Sequence, residues 1–268
     1  MGMISGKGIL IDGVSLSYNG RAVLNNICME IERGRVITLL GPNGCGKTTL
    51  LKIINGLLPP TSGRVYVDCR DTRSMKPGEM ARRMGHVPQA QRSTFPFTVL
   101  DVVLTGRFSY ISPLSKPGER DVEKAYRALE MVGALHIADR PYNHVSGGER
   151  QLAMIARALA QEPSFLLLDE PTSYLDFRNQ IRILKTVRGF AESGLMTVVM
   201  SLHDPNHALM FSDRVVLLQK IDCESSDMNN IVAMGEPVSV MTPENIRKAY
   251  GIDVEMLEIK GRRLLFPL

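Results

Sequence analysis

The chain has 268 residues, 44% of them hydrophobic and 22% charged, which is enough apolar material for a packed core and too much for a disordered chain. Its 23 Gly and 15 Pro fall without period, excluding a collagen-like fibre, and apolar runs such as Val36 to Leu40 and Phe165 to Leu168 fall far short of the roughly 20 residues a membrane-crossing helix needs. The net charge of +4 suits a solvated surface better than a nucleic-acid groove.

The opening Met1 to Gly8 lacks the apolar core of a secretory signal. Alternation predicts a strand through Ile9, Ile11, Val14 and Leu16, and another through Ile27, Met29 and Ile31. Arg35 to Leu40 is a short apolar run bounded by glycines and reads as a buried strand. A helix is expected from Thr48 to Gly56, stopped by Gly56 and Pro59-Pro60, and a strand over Arg64 to Asp68. From about 91 to 156 strand signals are scarce, and Val122, Ala125, Leu129 and Val132 keep helical spacing, so this stretch reads as an all-helical insert. Strands return at Phe165 to Asp169 and Met196 to Ser201, with helices near Asn179 to Ser193 and Asn206 to Ser212. This alternation argues for a parallel sheet with crossover helices. Strands at Arg214 to Gln219 and Ile231 to Met234 flank a polar stretch, Lys220 to Asn230, expected to be an extended solvent hairpin. Thr242-Pro243 starts a helix to about Tyr250, and the chain ends in a hairpin turning at Lys260-Gly261. The four cysteines, Cys28, Cys45, Cys69 and Cys223, form no CxxC pair, so neither a zinc site nor a disulfide framework is indicated, and free thiols point to the cytoplasm.

Gly41-Pro42-Asn43-Gly44-Cys45-Gly46-Lys47-Thr48 follows a predicted strand and opens a predicted helix, the context a GxxxxGK[ST] phosphate loop requires. Glycines let backbone N–H groups converge on phosphate oxygens, and the helix start adds its positive dipole end. Lys47 is expected to reach the β- and γ-phosphates of ATP and Thr48 to bind Mg²⁺, with Thr49 next in the helix start. The same position predicts a lowered pKa and thiol sensitivity for Cys45, although a small packing residue there is an equally plain reading. Later, Phe165 to Leu168 ends in Asp169-Glu170. Adjacent acids after a strand can cap a turn; beside a phosphate loop they suit Asp169 for Mg²⁺ and Glu170 for general-base polarisation of the attacking water. Ser146-Gly147-Gly148 before the helical run Leu152 to Ala160 is a second anion-binding device, and one chain does not need two γ-phosphate sites.

The phosphate loop, Ser146-Gly147-Gly148-Glu149-Arg150-Gln151, Leu166 to Pro171, Ser173-Tyr174-Leu175-Asp176 and His203 occur in that order, and the chain resembles the ATP-binding subunit of an ABC transporter over nearly its whole length. The resemblance implies one ABC ATP-binding domain, residues 1–268, with a helical subdomain near 91–156, and an α/β P-loop NTPase (RecA-like) parallel sheet carrying an antiparallel β subdomain. It implies that two copies sit head to tail, the Ser146 signature of one capping the ATP of the other. It further implies that Tyr18 stacks on adenine, that Gln89 touches Mg²⁺ or water and faces the membrane subunit, that Asp176 links the two sites, and that His203 contacts the γ-phosphate. The one departure of size is the long Lys220 to Asn230 stretch.

With one cassette, one signature and no long heptad run, an importer ATPase on the cytoplasmic face of the membrane is favoured over a soluble ABC protein and over a P-loop small-molecule kinase, which has no use for the signature. Its partners would be integral membrane permease subunits, a second copy of itself and, indirectly, a substrate-binding protein, with no nucleic acid. Phe95 to Arg107 resembles the stretch after the Q-loop in importers of iron–siderophore, haem or cobalamin, and Gln89 with the helical insert is expected to form the permease dock, so that changes around Phe97 to Arg107 would impair transport. Zinc, manganese and molybdate importers are similar enough to stand as alternatives.

Overall fold

The computed structural model describes residues 8–89, 97–112, 115–221 and 230–268. In chain order its elements are β1 (Gly8–Tyr18), β2 (Arg21–Glu32), β3 (Val36–Leu40), α1 (Lys47–Ile54), β4 (Ser62–Val67), β5 (Arg70–Asp71), α2 (Pro77–Arg83), β6 (Met84–Val87), α3 (Val99–Leu104), α4 (Glu119–Met131), α5 (Gly147–Leu159), β7 (Phe165–Leu168), α6 (Phe177–Glu192), β8 (Thr197–Leu202), α7 (Pro205–Phe211), β9 (Arg214–Leu218), β10 (Ile231–Gly235), α8 (Pro237–Val240), α9 (Pro243–Tyr250), β11 (Val254–Ile259) and β12 (Arg262–Pro267). They divide into two compact units, one built from residues up to 75 and from 197 onward, the other from residues 76–196.

The first unit contains an antiparallel sheet in the order β2-β1-β4-β5. Its period-2 pattern has a physical cause: Ile9, Ile11, Val14 and Leu16 of β1 and Leu24, Ile27, Met29 and Ile31 of β2 are buried, with polar neighbours turned outward. In the same unit β3 pairs in parallel with both β8 and β9, and β10 adds antiparallel to β9. Every residue of β3 and β8 is buried, as continuous apolar runs in a parallel sheet require. β11 and β12 form the C-terminal hairpin; Lys260 and Gly261 both take positive φ, 52° and 73°, in the two-residue turn that matches strand twist.

The second unit pairs β6 with β7 in parallel, from Met84↔Phe165 to Val87↔Leu168, and packs α3, α4 and α5 against one another. Both α3 and α5 begin with reciprocal caps, Thr98 with Asp101 and Ser146 with Glu149, so their first-turn N–H groups find partners. The antiparallel sheet, the parallel core and the helical segments agree with the expected fold class. No strand or helix was expected over residues 77–87, where α2 and β6 lie. β6 reads Met-Gly-His-Val, too short to alternate, and a Cβ on its Gly85 would come within 3.0–3.2 Å of Pro163 and Ala158.

One expectation needs correction. Within the Lys220 to Asn230 stretch, 222–229 lie outside the described residues, but Asn230 is not part of a solvent hairpin: it is wholly buried, because its amide serves backbone groups of two strands' ends. Within the stretch Phe95 to Arg107, Phe95 and Pro96 lie outside the described residues; Val99, Val103, Gly106 and Arg107 are buried, leaving Phe97, Asp101 and Thr105 exposed. Arg107 is a structural centre of its unit. Its guanidinium donates to Asp121 at 3.0 Å, Glu162 at 3.1 Å and the Ala160 carbonyl at 2.7 Å, and sits 4.0 Å from the Tyr110 ring centroid. Lys124 donates to Glu162 at 2.6 Å, and that bond, ahead of Arg107's charge, holds the Glu162 carboxyl below its usual range.

Removing one partner of a buried, hydrogen-bonded charge cluster costs about 3–5 kcal/mol. Arg107→Ala is therefore expected to lower unfolding free energy by about 3 kcal/mol in urea titration, and Arg107→Lys, which lacks the planar fork, to recover less than half of that. A wild-type midpoint for Arg107→Ala would show that the cluster is not stabilising.

Candidate active site

In the first unit, β3 delivers the chain into the loop from Gly41 to Gly46, and α1 begins at Lys47. Two close approaches dictate this path. A Cβ on Gly41 would strike the Leu218 carbonyl oxygen of the β9 end and approach Cys45 Sγ to 2.8 Å. Gly46 has φ 100°, and its Cβ would lie 2.6 Å from Leu24 Cδ2 of β2. Only glycine fits either position. Gly46 is also the N-cap of α1 and offers no side-chain acceptor to the first-turn amides. That is the chemistry of an anion cradle: backbone donors and a helix dipole without a resident carboxylate.

Lys47 supplies the charge. It is buried, 5% exposed, and its Nζ donates to the carbonyls of Gly41 at 2.7 Å and Pro42 at 3.1 Å. The ammonium is thus folded back over the loop it follows. Asn43 and Gly44 are exposed at the tip, while Thr48 and Thr49 are half-buried in the first turn. Tyr18, at the end of β1, is 49% exposed, as a ring available for stacking must be. His203 follows the last residue of β8 and is exposed. The next residue, Asp204, caps α7 by accepting from Asn206 N–H at 2.8 Å. Asn206 in turn bonds both backbone groups of Leu265 in β12, at 2.8 and 3.1 Å. The turn carrying His203 is therefore anchored to the C-terminal hairpin, a connection the sequence did not reveal.

In the second unit, parallel pairing of β6 and β7 brings two strand ends together, and Asp169 N–H donates to the Val87 carbonyl at 2.9 Å. Two residues past β6, Gln89 donates its amide to Glu170 Oε2 at 2.7 Å. Ser173 donates to the same oxygen at 2.9 Å. Glu170 takes a left-handed φ of 49°, a strained conformation for a non-glycine residue, and Asp169 is 4% exposed. The structure thus joins Gln89 to Glu170; Ser173, quoted in the sequence only as part of a motif, is the second donor.

Ser146 is the N-cap of α5: its Oγ accepts from Glu149 N–H at 3.3 Å, and its own N–H donates to Glu149 Oε2 at 2.8 Å. Those Ser146 contacts hold the Glu149 carboxyl below the ordinary carboxylate range. Gly147 is exposed and Gly148 buried, and a Cβ on Gly148 would lie 2.7 Å from Asn179 Cγ. Asp176 caps α6, accepting from Asn179 N–H at 2.8 Å and Nδ2 at 2.9 Å. Asn179 therefore joins Asp176 to Gly148, and its role was not legible in the motifs. Beside it, Tyr174 is 90% and Phe177 74% exposed.

No helix among the described residues is long and apolar enough to cross a membrane. Nor do they contain a cluster of three or more His, Cys, Asp or Glu able to hold a metal.

The family described as ABC transporter matches residues 24–173. The chain is 35% identical to the petrobactin import ATP-binding protein of Bacillus anthracis, over 91% of this chain and 86% of that one. It is also 35% identical to the hemin import ATP-binding protein of Rhodococcus jostii, over 96% and 85%. A chain from an inward-facing structure described as a metal-chelate type ABC transporter superposes with a TM-score of 0.83 at 32% identity, covering 98% of both. The chain belongs to the ABC transporter family, as an ATP-binding subunit of the importer group. Its activity is ATP hydrolysis coupled to transport.

One expectation about the loop is reversed. Cys45 is 1% exposed, and burial pushes its thiol up by more than the Lys47 charge lowers it. It packs against Gly41 and is not poised as a thiolate. With a maleimide at neutral pH, peptide mapping is expected to find the exposed Cys28 and Cys69 labelled well before Cys45. Labelling of Cys45 first would contradict this.

Proposed function

We propose that this chain powers uptake of a metal chelate, haem or an iron–siderophore, from the cytoplasmic face of a membrane, in complex with integral permease subunits that receive cargo from a substrate-binding protein. The petrobactin and hemin relatives and the metal-chelate type structural neighbour support the cargo class. Equal identity to a siderophore and a haem relative leaves both chelates within the proposal. The exposed Phe97, Asp101 and Thr105 are the surface proposed for the permease contact.

We assign the nucleotide roles as follows. Tyr18 stacks on adenine. The backbone of Gly41, Asn43, Gly44, Cys45 and Gly46, with Thr49, surrounds the phosphates, and Lys47 exchanges its two carbonyl partners for phosphate oxygens. Thr48, Asp169 and Gln89 are the residues suited to hold Mg²⁺, which, when bound, neutralises charge on the β- and γ-phosphate oxygens. The Glu170 carboxylate takes a proton from the attacking water as the water oxygen bonds to the γ-phosphorus and the bond to the bridging oxygen breaks, releasing ADP and phosphate. His203 donates to the γ-phosphate. Ser146, Gly147 and Gly148 of a second copy cap the nucleotide head to tail, and Asp176 couples the two sites.

The observation that carries this reading is the pair of donors on one Glu170 oxygen, Gln89 at 2.7 Å and Ser173 at 2.9 Å. They fix the orientation of the carboxylate. Glu170→Gln keeps the shape and loses the basic oxygen. Its ATPase turnover is expected to fall by about 10²–10⁴-fold while ATP binding persists. Turnover within a few-fold of wild type would remove Glu170 from the base role.

A further inference from the structure

Asn230 stands at the start of β10 and is wholly buried, a costly place for an amide unless its polar atoms are matched. Its Oδ1 accepts from Asn25 N–H at 2.7 Å, and its Nδ2 donates to the Val23 carbonyl at 3.0 Å and the Gln219 carbonyl at 3.4 Å. Its own carbonyl accepts from Gln219 N–H at 2.8 Å. The need for these bonds has a local origin. Leu16 pairs with Leu24 and Ser17 with Ala22, so Val23 is an extra residue bulged from the β1–β2 ladder. A bulge leaves ladder groups without strand partners, and Asn230 fills that vacancy at Val23.

The two segments it joins both touch the phosphate loop. From β2, Leu24 Cδ2 and the Val23 carbonyl lie 2.6 and 3.2 Å from where a Gly46 Cβ would stand. From the end of β9, the Leu218 carbonyl abuts Gly41, and Lys220 Cε lies 3.5 Å from the Cβ position of Gly44. We propose that Asn230 is a positioning residue for nucleotide binding, clamping Val23–Asn25 to Gln219 so that the two walls of the loop Gly41–Gly46 keep their spacing. This rests on the reading of that loop as the phosphate cradle. Loss of the clamp removes one partner from part-buried backbone groups at Asn25 and Val23, so the bulge shifts and the glycine path loses its supports. The effect falls on ATP affinity, since the groups Asn230 bonds, at Val23, Asn25 and Gln219, belong to residues that flank the loop and are none of those assigned to bond cleavage.

The test compares Asn230→Ala, Asn230→Asp and Lys47→Ala with wild type in the full chain, by ATP titration calorimetry, steady-state kinetics and amide hydrogen exchange. Asn230→Asp keeps the acceptor for Asn25 N–H and loses both donors. Expected for both Asn230 variants are roughly tenfold weaker ATP binding, a matching rise in KM, kcat at saturating ATP within about twofold of wild type, and faster exchange at Leu24 and Asn25. ATP affinity within twofold of wild type overturns the proposal, whether or not exchange rises, as does a fall in kcat with KM unchanged. If Asn230→Ala does not fold, Asn230→Asp decides by the same criteria. Lys47→Ala separates the two ideas: wild-type ATP affinity in that variant overturns the reading of the loop itself, whereas its loss beside an unaffected Asn230 pair overturns the clamp alone.

Discussion

A buried lysine ammonium needs partners, and at Lys47 they are two carbonyls of the loop that precedes it. That interaction constrains the surrounding unit. The loop must double back over its own helix, so Gly41 and Gly46 must approach other backbone and side-chain atoms more closely than a Cβ allows. Those atoms belong to the ends of β9 and β2, so both sheets of the unit are held to positions the loop sets. The all-buried strand β3 aims the chain at this point, and a helix start without a side-chain cap leaves its amides for a ligand's oxygens. A cation already desolvated and held by neutral carbonyls can exchange them for phosphate at little reorganisation cost, because the cradle is formed beforehand.

In the second unit the polar groups of the motif residues are used within the unit, some in local caps and some across the chain. Ser146 and Glu149 cap one another, Asp176 caps α6 through Asn179, and Glu170 accepts two donors on one oxygen. Each motif residue therefore has a structural duty alongside the role proposed for it in catalysis. Substituting Asp176 would uncap α6 as well as alter whatever it contacts in a second copy, so loss of activity alone cannot assign its function.

The sequence made the phosphate loop, the signature and Asp169-Glu170 legible because their chemistry needs contiguous residue types in one order. Alternation and buried runs likewise exposed β1, β2, β3, β7 and β8. What stayed hidden depends on long-range contact. β6 is too short for a period. Arg107 looked like a surface residue of a docking stretch until its carboxylate partners at 121 and 162 arrived by folding. Asn230 lay at the edge of a polar run, and nothing in the run marks a position opposite a bulge in β2. Cys45 was misjudged because its neighbours in sequence, Lys47 and the helix start, favour a thiolate, whereas its burial, invisible in sequence, outweighs them.

The central claim is that the Gly41–Lys47 cradle recognises the phosphates beyond the first. Thermal unfolding of the full chain with saturating ATP, ADP or AMP tests it most directly, since a ligand that binds only the native state raises the midpoint by mass action. The account predicts concentration-dependent stabilisation by ATP and ADP and none by AMP. Equal stabilisation by AMP, or no response to ATP, would contradict it.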